Sequence, residues 1–478
     1  MNYGMIFYVL GWLLNFEAAF LLPPAAVAVI YREKEGLCIL ITMMLCLVPG
    51  LLAVFLKPKK RRIYSREGFV ITALSWFVLS LFGALPFRIS GYIPHMVDAV
   101  FETASGFTTT GASILTDVEA LPHCLLFWRS FTHWMGGMGV LVFIIAILPM
   151  AGGSDMYLMK AESPGPDVQK LVPKVKTTAS TLYGLYVVLT VLQVIFMLLG
   201  RMPLFEALTT AFGTAGTGGF GVKNTSIAGY STYLQVVITI FMILFGVNFN
   251  VYYLIYKRRF KDVLHVSEVW TYLGIIAAAI ILICINILPG YANPLIALRD
   301  SAFQVGSIIT TTGFSTVDFD LWPAFSKTIL VTLMFVGACA GSTGGGLKVS
   351  RVQMLAKSIP REIGHVTHPN SVRKVKIDGK QVEHSVMRSV NVYIAAYILV
   401  LAGSILIISL DNFDMTTNFT AVAATLNNIG PGLSGVGPTA NFSAYSYLSK
   451  IVLTFDMIAG RLELFPVLIL FSRKTWLK

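Results

Sequence analysis

Charge is scarce in this chain. Of its 478 residues only 13% are charged, 55% are hydrophobic, and the mean hydropathy is +0.73. That balance excludes a soluble globular domain and a disordered chain. Cysteine is equally thin. Cys38, Cys46, Cys124, Cys284 and Cys339 lie in or near apolar runs without CxxC spacing, so they read as small buried hydrophobes rather than a metal or disulfide framework. Seven histidines are scattered with no HExxH pattern, and His365 and His368 fall in a polar loop. No Walker sequence, paired aspartates or Ser/His constellation appears at depth, which disfavours an intramembrane enzyme.

What the chain has instead is apolar length. Runs long enough to cross a bilayer as helix fall near 6–30, 38–56, 69–86, 124–149, 179–199, 233–256, 271–289, 326–354, 391–410 and 447–471. The first has no Lys or Arg ahead of it and is interrupted by Glu17, so it reads as a retained span and not a cleaved signal. The net charge of +12 follows topology. Basic clusters at 57–62, 257–261, 348–388 and 473–478 each come after an even-numbered span. Asp98, Asp117, Glu206, Asp300, Asp318, Asp320, Asp411 and Asp414 follow odd-numbered ones, while YREKEG (31–36) is a mild exception. The positive-inside rule then puts both termini in the cytoplasm and the acidic loops outside, and no nucleic-acid partner is needed to explain the charge.

Four small-residue turns stand out: Thr109-Thr110-Gly111, Thr217-Gly218-Gly219, Thr311-Thr312-Gly313 and Asn428-Ile429-Gly430. Their glycines are spaced 219−111, 313−219 and 430−313, or 108, 94 and 117 residues. Each lies between an odd span and the next even span, as a re-entrant loop would. Thirteen residues before each glycine stand Asp98, Glu206, Asp300 and Thr417, residue types that cap a helix N-terminus. The predicted fold is an all-α integral membrane protein of four helix–pore-loop–helix repeats around one pore, with two extra N-terminal helices. The boundaries are 1–62 for the N-terminal pair, then 63–160, 161–262, 263–360 and 361–478 for the repeats. Glycine permits the backbone that turns carbonyls inward, threonine hydroxyls brace it, and a ring of such carbonyls binds an alkali cation. The bland alternative is small-residue packing between helices.

The segments FETASGFTTTGAS (101–113), TAGTGGFG (214–221), ITTTGFSTVDFD (309–320), NNIGPGLS (427–434), GACAGSTGGGLKVSR (337–351) and GRLELFP (460–466) resemble the Trk/Ktr/HKT superfamily of potassium transporters, most closely its TrkH/TrkG branch. The resemblance covers nearly the whole chain. It implies a K+ uptake protein needing no cofactor in this chain, a homodimer, and a cytosolic TrkA-like nucleotide-binding regulatory ring. It also implies K+ binding at the turn residues named above, with glycine rather than serine at Gly111 pointing to potassium over sodium. The fourth turn lacks threonine, which predicts an asymmetric ring.

Gly337, Gly341, Ser342, Thr343, Gly344, Gly345 and Gly346 interrupt the eighth span. Glycine disfavours a helix interior by about 1 kcal/mol against alanine, so this stretch breaks the helix. A phosphate loop is the competing account, but the GxxxxGK[ST] order is missing. The resemblance supports a gate below the turns, against a close-packing glycine patch with no gating role; Lys348 and Arg351, at the loop's inner end, are read as part of its connection to the regulator. Arg461, in the tenth span, is an ionisable residue at depth. The resemblance implies that it faces the pore below the turns, contacting the gate loop or setting a positive barrier to cation passage, against the alternatives of snorkelling or neutralisation by Asp456 or Glu463. Trp128, His133, Trp134 and Gly136–Gly139 read as helix packing. The stretch 356–389 reads as a cytoplasmic connection and docking surface, and 160–176 as a linker. Membrane potential suffices to drive uptake, at about 2.3 kcal/mol per charge per 100 mV. Symport, a sodium-permeable relative and a non-transporting scaffold are the rival functions.

Overall fold

The computed structural model describes residues 1–56, 58, 64–139, 175–368 and 374–476. Most of the basic run 57–62, the second half of the predicted fourth span and nearly all of the linker 160–176 lie outside these residues, as does the boundary at 160/161. Among the described residues six helices are long and apolar enough to cross a membrane: Tyr3–Tyr31, Gly36–Phe55, Ser65–Ser90, Ala179–Leu199, Ser267–Gly290 and His384–Asp411. A seventh is reached if the bent pair Thr232–Phe245 and Phe249–Tyr256 counts as one. Their outward faces carry large apolar side chains, such as Leu37, Leu52, Leu199 and Ile285, which water would not tolerate in such number.

Between the long helices the chain repeats one short pattern four times. Short helices Met96–Phe107, Leu204–Ala215, Pro294–Ile309 and Met415–Leu426 each end at one of the glycine turns. Each is followed by a second helix, at His123–Gly137, Thr232–Phe245, Ala324–Val336 and Tyr447–Arg461. The later turns of the short helices are buried despite their Thr, Ser and Gly content, because their hydroxyls bond back to carbonyls one turn earlier, as in Thr103 to Ala99 and Thr425 to Ala421.

Two predicted continuous spans are broken. The span at 233–256 turns by 90° after Phe245, where Asn248 accepts the Asn250 amide and starts a new helix. The span at 447–471 stops at Arg461, because Glu463 and Leu464 take left-handed backbone (φ 58° and 63°) before Pro466 opens the next segment. The first span holds as one helix, Tyr3–Tyr31, with Leu21 keeping helical backbone ahead of Pro23 and Pro24. The predicted break at 337–346 is present: Ala324–Val336 ends, a loop follows, and Val349–Thr367 begins.

The capping expectation is corrected as well. Asp98 and Glu206 lie in first turns but bond no backbone amide there; they pair with Lys450 (2.6 Å) and Lys223 (3.3 Å). Asp300 lies in its helix's second turn and pairs with Arg299 at 2.8 Å. Thr417 is itself capped, its amide bonding Asp414 at 3.1 Å. Basic neighbours satisfy these acids better than backbone does. At the second helix of the first unit the cap comes from elsewhere: Glu33 accepts the amides of His123 (2.7 Å) and Cys124 (2.8 Å). Burial pushes its carboxyl up, but those hydrogen bonds outweigh it and hold the group below its ordinary value.

Candidate functional site

The four turns begin as helix C-caps. In each, the residue two before the glycine is left-handed: Thr109 (φ 56°), Thr217 (54°), Thr311 (59°) and Asn428 (57°). The next amide reaches back five residues, Thr110 to Ser105, Gly218 to Gly213, Thr312 to Ser307 and Ile429 to Ala424, at 2.8–2.9 Å. This is the Schellman arrangement, with threonine in a place that usually takes glycine. A β-branched residue there is an outlier and marks stored strain. The glycine itself is left-handed again, with φ 81°, 77°, 83° and 97° at Gly111, Gly219, Gly313 and Gly430. Alternating hand along three residues turns successive carbonyls to one side.

The turns close on one another. A Cβ built on Gly111 would meet the Gly218 carbonyl oxygen at 2.0 Å. From Gly219 it would meet that of Thr312 at 2.0 Å, from Gly313 that of Ile429 at 2.1 Å, and from Gly430 that of Thr110 at 2.8 Å. First faces second, second third, third fourth, and fourth first. These residues are buried, yet among the described residues no donor is bonded to the carbonyls of 109–111, 217–219, 311–313 or 428–430. Buried backbone carbonyls are ordinarily paired, so a ring of free ones suits a bound cation. All four glycines line one cavity of about 230 Å³ on one side of the ring.

Side chains hold the ring from behind. Thr108 and Thr110 share a hydroxyl hydrogen bond of 2.8 Å, as do Thr310 and Thr312. Asn428 stands in for the missing threonine of the fourth turn: its Nδ2 donates to Thr110 Oγ1 and to the Met457 carbonyl, both at 2.9 Å. A buried ion pair, Glu102 with Arg129 at 2.7 Å, joins the first two turns. Glu102 accepts the Ile114 amide at 2.9 Å, while Arg129 donates to the Gly221 carbonyl and lies 3.5 Å above the Phe220 ring. Sequence reasoning missed this pair, although a carboxylate and a guanidinium 27 residues apart in apolar surroundings were the available signal. His133, read as packing, bonds the Gly106 carbonyl through Nδ1 at 2.8 Å and fills the space where a Gly218 side chain would stand.

On the other face of the ring lies the glycine loop. The Gly345 amide donates to Thr311 Oγ1 at 2.7 Å, and the Gly346 amide to the Asn427 carbonyl at 3.1 Å. Thr343 bonds the Phe245 carbonyl at 3.2 Å. Arg461 spans what remains: Nη1 donates to the Thr343 carbonyl (2.8 Å) and Thr109 Oγ1 (3.2 Å), Nη2 to the carbonyls of Gly136 (2.6 Å) and Gly137 (2.7 Å). Arg461, Lys348, Gly341, Ser342, Gly344 and Gly345 line a cavity of about 90 Å³. So Gly136 and Gly137, expected only to pack, supply ligands to the arginine. Glu463 pairs with Arg351, not with Arg461, and Asp456 accepts from Ser404 at 2.7 Å. Lys348 and Arg351 are both buried, Lys348 donating to the Gly344 carbonyl, so they turn into the protein rather than toward a docking partner.

A family model, TrkH, described as a cation transport protein, matches residues 36–284 and 292–477. The chain belongs to this family. It is therefore an integral membrane protein of a transporter family, not an enzyme. It is 37% identical to the Trk system potassium uptake protein TrkH of Salmonella typhimurium, over 100% of both chains. It is 33% identical to the Trk system potassium uptake protein TrkG of Escherichia coli, over 99% of this chain and 98% of that one. Its fold superposes on the crystal structure of the potassium transporter TrkH from Vibrio parahaemolyticus with a TM-score of 0.90, at 33% identity and complete coverage of both.

Proposed function

We propose that the chain takes up K+ across the bacterial inner membrane through the ring formed by 109–111, 217–219, 311–313 and 428–430. The observation that carries this is the closed succession of four turns whose buried carbonyls accept no hydrogen bond. Four pore repeats, ten spans in all and cytoplasmic termini are the architecture in this reading, with 1–62 as the added pair. The loop 337–346 is the gate, held under the ring by Arg461, and its hydrogen bonds to Thr311 and Asn427 support a shut state. The named relatives' potassium uptake supports the choice of ion. A homodimer docked on a cytosolic TrkA-like nucleotide-binding ring completes the proposal. Permeation is channel-like and driven by membrane potential; a coupled symporter is the second reading, favoured only by the buried acids Glu17 and Asp456.

Flux into proteoliposomes holding the purified chain, comparing K+, Rb+, Na+ and Li+, tests this with Gly313→Ser alongside. K+ and Rb+ should pass ahead of Na+, and the mutant should lose that preference. Equal passage of all cations, unchanged by the mutation, refutes the filter. Silence of the chain alone calls for the regulatory ring to be added; silence with it added refutes the proposal.

A further inference from the structure

Glu268 is a buried carboxylate that the permeation reading does not use. It is the second residue of the helix Ser267–Ile287. Its Oε1 accepts the Ala340 amide at 2.6 Å and the Ser350 amide at 3.1 Å. Ala340 lies inside the glycine loop and Ser350 in the first turn of the helix that follows it, so the two bracket the stretch 341–349. Its Oε2 lies 3.5 Å from Asn248 Nδ2, at the 90° bend. The bend holds the same loop through backbone: Phe249 donates to the Gly341 carbonyl at 3.0 Å, and Cys339 to the Gly246 carbonyl at 3.1 Å. One carboxylate thus ties the loop at Ala340 to the helix start at Ser350 and to the segment on which the loop leans.

Its own helix is held from the opposite side. The Ser267 amide donates to Asp378 Oδ1 at 2.8 Å. Asp378 is the tip of a two-stranded hairpin, Lys376–Ile377 against Lys380–Gln381, whose turn has φ 49° at Asp378 and 74° at Gly379. Left-handed backbone at both turn residues suits the Asp-Gly sequence. The hairpin is not loose. Val375 is buried with Met354, Met387 and Val390, and Lys357 Nζ donates to the Lys376 carbonyl at 3.1 Å. It moves with the helices it packs on, and its exposed tip touches the residue next to Glu268.

We propose that Glu268 is the positioning residue of the glycine loop, and that the hairpin tip at Asp378 sets where Glu268 stands, so that displacing the tip frees the loop at Ala340 and at the helix start that follows it. This rests on the reading of 337–346 as the gate. Charge-assisted hydrogen bonds to backbone amides are the strong kind, and losing their acceptor leaves buried amides unpaired. A small shift at the tip therefore favours a second loop arrangement rather than a graded stretch.

Cys339 is a native reporter, fully buried at the start of the loop. The full chain in liposomes is labelled with a maleimide and the modified cysteines are mapped by mass spectrometry, with cation flux measured in parallel. Asp378→Ala, at an exposed position, and Glu268→Ala should each raise Cys339 labelling by about tenfold, the scale of one lost charge-assisted hydrogen bond. The preference for K+ over Na+ should not change. Buried Cys46 and Cys124 should stay protected. Cys339 labelling at the original rate in folded Asp378→Ala overturns the proposal, as does labelling of all three cysteines in step, which is general loosening. Raised Cys339 labelling without raised flux upholds the positioning role and overturns the gate reading instead.

Discussion

Adding one methyl group to each ring glycine separates the filter reading from packing, because the four sites differ in room. At Gly219 an alanine Cβ lies 2.0 Å from the Thr312 carbonyl oxygen, where ordinary contact starts at 3.4 Å, so the neighbouring turn must retreat by about 1.4 Å. At Gly430 the nearest oxygen is at 2.8 Å and the retreat is about 0.6 Å. Both sites add the strain of a left-handed residue with a Cβ, about 1–2 kcal/mol. The overlap at Gly219 adds overpacking of about 1–3 kcal/mol. Together that is about 2–5 kcal/mol, or a factor of roughly 30 to a few thousand in the population of the intact ring. Rb+ uptake with Na+ competition should therefore fall steeply in Gly111→Ala, Gly219→Ala and Gly313→Ala. Gly430→Ala, with little overlap, should lose about tenfold. An unchanged rate and preference in Gly219→Ala, or Gly430→Ala as the most damaged of the four, refutes the reasoning.

Arg461→Ala removes the donor shared by the glycine loop, Thr109 and two carbonyls of the first unit, so basal conductance should rise; Arg461→Lys should not restore the shut state, since an ammonium lacks the planar fork. Electrical recording in planar bilayers checks both. Arg129→Met strands Glu102 in the interior and should destabilise the protein by about 3–5 kcal/mol, seen as a lower melting temperature in detergent, with Glu102→Gln added in the double mutant recovering part of it. Alanines at 340–346 put methyl groups 2.3 Å from the Asn427 carbonyl and 2.9 Å from that of Thr310, so the loop cannot stay seated; flux and its nucleotide dependence unchanged from the original chain would disprove the gate.

The candidate site was legible where chemistry repeats. Thr-Thr-Gly and its variants recur at intervals near a hundred residues, and a cation at depth such as Arg461 has few roles open to it. The helix break at 337–346 was legible because glycine acts locally. The breaks at Gly246 and at Glu463–Leu464 were not, since their residues fit a continuous apolar run and bend only when caps and partners arrive from elsewhere. The acids before the turns suggested caps by type, yet Lys450, Lys223 and Arg299 claimed Asp98, Glu206 and Asp300. Lys348 and Arg351, read as part of the gate's connection to the regulator, proved buried, Lys348 on the Gly344 carbonyl and Arg351 beside Glu463, which lies 112 residues away in sequence.

By itself the sequence determined that this is a membrane protein, where its turns lie and which residues in them accept a left-handed backbone, since hydropathy and glycine act over short stretches. Only the tertiary structure decided which turn faces which, that Asn428 takes a threonine's place, and that Glu268 ties the glycine loop to the helix after it. Those facts depend on carbonyls and carboxylates meeting across 70 to more than 300 positions of chain, and no local pattern encodes such distances.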